Sequence, residues 1–123
     1  MLNKSTLFFI AISWTVLITF LSLVKVGSFG STIPIPNKDK IVHVVLYFGF
    51  VVLWSLYKNT SNYTKKTGIA ILCIAICYGI LMELLQYFTA TRSANFNDVL
   101  ANSLGAFLGF LFINKIFLNK RKI

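Results

Sequence analysis

Acidic residues are nearly missing from this 123-residue sequence: three Asp or Glu stand against twelve Lys or Arg, for a formal charge of +9. Charged residues of both signs make up only 12% of the chain, against a usual share of roughly 25%. A soluble domain of this size cannot hide a composition that is 57% hydrophobic. The 15% aromatic share excludes a disordered basic tail. Nucleic acid is not expected as a partner, because the basic residues flank apolar runs instead of lining one polar face. Histidine occurs once, at His43, and one His with three acids is a thin ligand supply, so no metal is expected. The two cysteines, Cys73 and Cys77, share one apolar run at i, i+4. A helix holds such a pair apart, so no disulfide between them is expected and they read as plain apolar packing. No Gly-rich phosphate-binding loop occurs, and no cofactor is expected. There is no repeat and no low-complexity segment. Both prolines fall in Ile33-Pro34-Ile35-Pro36, which favours an extended path.

Long apolar runs are what the chain has instead. They cover about 7–24, 41–57, 68–88 and 99–118, each bounded by charged residues. The first reaches about 27 Å at 1.5 Å per residue, close to the thickness of a bilayer core. Its apolar core exceeds the 7–15 residues of a typical signal peptide, so it reads as a retained span. The expected fold is all-α: one integral-membrane four-helix bundle over residues 1–123, since helices satisfy their own backbone in lipid. Loop charge orients it. One side carries Lys4, Lys58, Lys65, Lys66, Lys115, Lys120, Arg121 and Lys122, and the other carries Lys25, Lys38, Lys40 and Arg92. Both termini are therefore expected in the cytoplasm, with the first and third loops outside.

On that topology nearly every polar group other than Lys gathers at the outer end. Asp39 precedes the second run and Asp98 the fourth, His43 is one turn inside the second, and Asn102 is one turn inside the fourth. Glu83 lies about 8 Å below the outer end of the third run, with Gln86 one turn beyond it and Arg92 in the following loop. Helical spacing puts Asp39, His43 and Tyr47 on one face, Gly79, Glu83 and Gln86 on another, and Asp98, Asn102, Gly105 and Gly109 on a third. Gly105-Ala-Phe-Leu-Gly109 is a small-xxx-small pattern that lets helices approach closely, within one chain or between two. The three faces are expected to meet around a small polar pocket open to the outside. Each residue also has a plainer role: Asp98 and Asp39 as helix caps, His43 bonded to a carbonyl, and Asn102 and Gln86 as links between helices. Glu83 is the hardest to explain away, because a carboxylate at that depth needs a partner, such as Arg92, His43 or Lys40, or must be neutral.

The order Asp39-Lys40-x-x-His43, Glu83-x-x-Gln86, Arg92, Asp98-x-x-x-Asn102-x-x-Gly105-x-x-x-Gly109 resembles the VanZ-like family, over about residues 38–110. The resemblance implies a multi-pass protein of the bacterial inner membrane and a link to low-level resistance against teicoplanin-type antibiotics. It supplies no reaction. Its polar signature maps onto Asp39, Lys40, His43, Glu83, Gln86, Arg92, Asp98 and Asn102.

Three functions compete. In an envelope enzyme, Glu83 or Asp98 would serve as acid or base with His43 as proton partner. Asp39, Lys40, Gln86, Arg92 and Asn102 would hold an anionic lipid head or lipid-linked precursor. A non-catalytic binder or scaffold would use the same residues for a lipid, a glycopeptide-related ligand or a membrane-protein partner, as a monomer or homo-oligomer. A small proton-coupled transporter fits less well, because Glu83 is off-centre and the first span has no ionisable group.

Overall fold

The computed structural model describes residues 3–23, 38–59, 63–89 and 96–121. They form four helices: α1 (Lys4–Leu23), α2 (Lys38–Asn59), α3 (Lys65–Thr89) and α4 (Phe96–Arg121). All four are long and apolar enough to cross a membrane. Local chemistry sets two of the starts. The Asn3 side-chain oxygen accepts from the Thr6 N–H at 2.8 Å and caps α1. The Thr64 hydroxyl accepts from the Thr67 N–H at 3.2 Å, and the Thr64 carbonyl takes the Gly68 N–H, so Thr64 caps α3. Helix α2 continues past its apolar run to include Lys38, Asp39 and Lys40, which brings Lys40 and His43 onto one rigid element.

Helix α2 is the centre of the bundle. It packs most extensively on α4, then on α1 and α3, and α4 also rests against α3. The core where they meet comprises Ile18, Leu46, Tyr47, Phe50, Val51, Ile71, Ala75, Ala106 and Phe110. Close approach of α2 and α4 depends on two glycines. A methyl group at Gly105 would lie 2.8 Å from Val44 Cα, and one at Gly109 would lie 3.0 Å from the Phe48 carbonyl. Both glycines are therefore used within the chain. Gly49 does the same for α1: its missing side chain makes room for the Trp14 ring, whose Nε1 donates to the Leu46 carbonyl at 2.7 Å. Trp54 Nε1 donates to Thr15 Oγ1 at 3.1 Å, and the hydroxyls of Thr19 and Tyr78 form a hydrogen bond joining α1 to α3.

The outer surface is apolar all round. Phe9, Val16, Phe20, Ile74, Leu84, Phe107 and Phe112 are among the exposed side chains. Water would make this surface an aggregation hazard, whereas lipid accommodates it. Cys73 and Cys77 are free thiols on this outward face of α3. The expected packing role is thus corrected: neither is in the core, because i, i+4 spacing turns both away from it together.

Candidate functional site

One end of the bundle is built from the start of α2, the last turns of α3 and the start of α4. Lys40 donates to Asp98 Oδ1 at 2.8 Å, and Asp98 Oδ2 lies 3.7 Å from His43 Nε2. The second distance is an ionic approach and not a hydrogen bond. The Asp98 and His43 side chains are 7% and 8% exposed, and Lys40 is 32% exposed. Lys40 and His43 are neighbours on α2 because they are three residues apart. Asp98 lies in the first turn of α4, where the positive end of the helix dipole also favours a carboxylate. Its two oxygens face α2.

One turn deeper, Tyr47 of α2 and Asn102 of α4 are completely enclosed. Gly79 of α3 lets them converge: a methyl group there would be 3.1 Å from Asn102 Nδ2 and 3.4 Å from the Tyr47 ring. Glu83 and Gln86, on the same face of α3, are buried too, and Glu83 acts electrostatically on Tyr47. Gln86 Nε2 donates to the Ser22 carbonyl at 2.7 Å and ties the end of α1 to α3. Three buried atoms of this region have no hydrogen-bond partner among the described residues: His43 Nδ1, the Tyr47 hydroxyl oxygen and Asn102 Oδ1. Native interiors satisfy most buried polar atoms, so such a concentration calls for an explanation.

Several expectations change. Lys40, a candidate partner for Glu83, is committed to Asp98. Two open hollows among the described residues lie along α1, while His43, Glu83, Asp98 and Asn102 are each buried. The amide nitrogen of Gln86 serves a helix tie. Arg92 lies outside the described residues, as does the Asp39 side chain. Among the described residues no group of three or more His, Cys, Asp or Glu side chains forms a metal-binding set. Sequence reasoning missed the part played by α1. Its signal was Thr15 and Thr19 at i, i+4, a pair of hydroxyls on one face of an otherwise apolar span.

Against known proteins, the VanZ/LLP1 family profile matches residues 4–118. The chain belongs to that family. It is also similar to an uncharacterized protein of the fission yeast Schizosaccharomyces pombe, at 29% identity over 116 residues, covering 92% of this chain and 70% of the yeast protein. No solved structure matches the chain.

Proposed function

We propose that this member of the VanZ/LLP1 family is a multi-pass membrane protein whose Lys40–His43–Asp98 end receives the polar head of an anionic envelope lipid or lipid-linked precursor. In this reading residues 1–123 form one membrane domain with both termini in the cytoplasm. The membrane is the inner membrane of a bacterium, and the polar end faces outward. The observation that carries the proposal is the set of three buried, unpartnered atoms beside a half-buried ion pair. Leaving one such atom unsatisfied costs about 1–3 kcal/mol. A hydroxylated, phosphorylated head would relieve all three: its O–H groups donate to Asn102 Oδ1 and His43 Nδ1, and its oxygens accept from Tyr47. Lys40 shares its charge between Asp98 and the phosphate. Arg92 and Asp39 belong to the same proposal as flanking contacts.

A catalytic version rests on one further distance. Asp98 Oδ2 lies 3.7 Å from His43 Nε2, which favours a proton on Nε2 and leaves Nδ1 as the acceptor. As the oxygen of a water at Nδ1 bonds to the head-group phosphorus, His43 would take its proton; the P–O bond to the departing alcohol would break with a proton from Glu83, and the proton on His43 would then restore Glu83.

Lipids and lipid-linked precursors are profiled by mass spectrometry in cells expressing wild type, Glu83→Gln or Lys40→Gln at equal membrane levels. A species altered by wild type but not by Glu83→Gln supports catalysis. An anionic lipid that co-purifies with wild type and is lost with Lys40→Gln supports binding alone. The proposal fails if the profiles agree and no co-purifying lipid depends on Lys40. Teicoplanin susceptibility in the same strains tests the resistance link that the resemblance implies.

A further inference from the structure

We propose a second lipid site at the opposite end of the bundle: a cleft between the start of α1 and the end of α2 that seats one anionic phospholipid. All three acidic residues of the chain, Asp39, Glu83 and Asp98, lie at the Lys40–Asp98 end. The other end gathers Lys4, Lys58, Lys65, Lys66 and Lys115 from all four helices, with no acidic side chain among the described residues. A basic cluster at a membrane surface draws anionic headgroups, by about 1 kcal/mol per Lys.

Shape narrows this general attraction to one place. A hollow of about 380 Å³ is lined by Lys4, Ser5, Phe8, Phe9 and Tyr57. It holds an ammonium and a hydroxyl, the groups that bind a phosphate. Lys4 Nζ lies 5.5 Å from the centre of the Tyr57 ring, and Phe8 packs at 5.4 Å on the same ring. These aromatics form the amphipathic wall typical of a membrane interface. At Phe9 the hollow adjoins an open groove of about 450 Å³ that runs down α1 past Ile10 and Trp14 to Leu17. Thr6 to Leu17 spans about 16 Å of helix, close to half of a 30 Å bilayer core. A cationic head joined to an apolar groove one leaflet deep fits one phospholipid, with its phosphate at Lys4 and Ser5 and an acyl chain along Trp14. The site shares no residue with the polar end and stands independently of its function.

Trp14 reports on the groove. The protein is reconstituted in phosphatidylcholine vesicles carrying phosphatidylglycerol with brominated acyl chains, or brominated phosphatidylcholine at the same mole fraction. Wild type should show about a fivefold preference for the brominated phosphatidylglycerol in quenching, the factor expected from one Lys–phosphate contact. Lys4→Gln should bring the preference to one, while Lys4→Arg and the double variant Lys65→Gln/Lys66→Gln retain it. Equal quenching by the two lipids in wild type would overturn the proposal. So would loss of the preference in the Lys65/Lys66 variant, which means diffuse surface charge, or its loss to inorganic phosphate, which means a free-anion site. If Lys4→Gln fails to insert, Tyr57→Leu takes its place. A preference unchanged in Tyr57→Leu then rejects the site, and a reduced one supports it.

Discussion

Replacing Gly105 with Ala puts a methyl group where the backbone of α2 already lies. The added carbon would stand 2.8 Å from Val44 Cα and 2.9 Å from the Val44 carbonyl carbon. Carbon atoms rest at about 3.5–4.0 Å, so α2 and α4 must separate by about 0.7 Å or more at this point. A side chain could rotate aside, but the backbone of a packed helix cannot, which puts the cost near the upper end of the 1–3 kcal/mol seen for overpacking. The better helix propensity of Ala returns about 1 kcal/mol. The net loss is about 2 kcal/mol, or about thirtyfold in the folded-to-unfolded ratio. Gly109→Ala is the internal control. Its nearest atoms are the Phe48 carbonyl at 3.0 Å and Val51 Cβ at 3.1 Å, a milder contact that the propensity gain roughly cancels. Unfolding in mixed micelles on titration with SDS, followed by tryptophan emission, compares the two variants with wild type. A Gly105→Ala protein as stable as wild type, or a Gly109→Ala protein that loses more, would refute the reasoning. Separation of α2 from α4 should also lengthen the 2.8 Å Lys40–Asp98 contact, so Gly105→Ala should weaken any lipid retention that depends on Lys40.

Asp98→Asn strips Lys40 of its ionic partner. Because Lys40 is a third exposed, the expected cost is about 2 kcal/mol, less than the 3–5 of a fully buried pair; a double-mutant cycle with Lys40→Met that proves additive would contradict the coupling. Gly49→Ala drives a methyl group to within 2.6 Å of the Trp14 ring, and displacement of that ring breaks its hydrogen bond to Leu46 and shifts the emission spectrum. An unchanged spectrum would show that the ring does not depend on Gly49 for room. Tyr63 is buried and donates to Asn114 Oδ1 at 2.7 Å, so Tyr63→Phe should cost about 1 kcal/mol in the same unfolding assay. Burial also raises the Tyr63 pKa above its ordinary 10. The unfolded chain then gives up this proton first, so the contribution is complete below about pH 10 and is lost as pH rises through the folded value. The Phe variant should show a shallower alkaline decline.

Much of this architecture is legible in the residue pattern. Four apolar runs of bilayer length, each closed by charged residues, lead directly to four helices. Helical period and alternating chain direction bring Lys40, His43, Glu83, Asp98 and Asn102 to one end, since Glu83 sits near the C-terminal end of its run and the others near the N-terminal ends of theirs. The pairing inside that end is not legible. Lys40 could have met Glu83 or Asp98 by spacing alone, and the choice follows from α2 lying against α4 more closely than against α3. The contribution of α1 through the Ser22 carbonyl is equally hidden, because a backbone acceptor carries no residue-type signal.

Composition and periodicity by themselves determined that this chain forms four apolar helices, because apolar length and backbone hydrogen bonding are properties of each segment alone. They also determined that its three acids lie away from most of its lysines. Only the tertiary structure decided that Gly105 and Gly109 seat α4 on α2 within one chain, that Cys73 and Cys77 face outward, and that Lys40 pairs with Asp98. These outcomes depend on which helix faces meet and how near they come. That is settled by contacts between segments distant in sequence, where a single missing methyl group sets the distance.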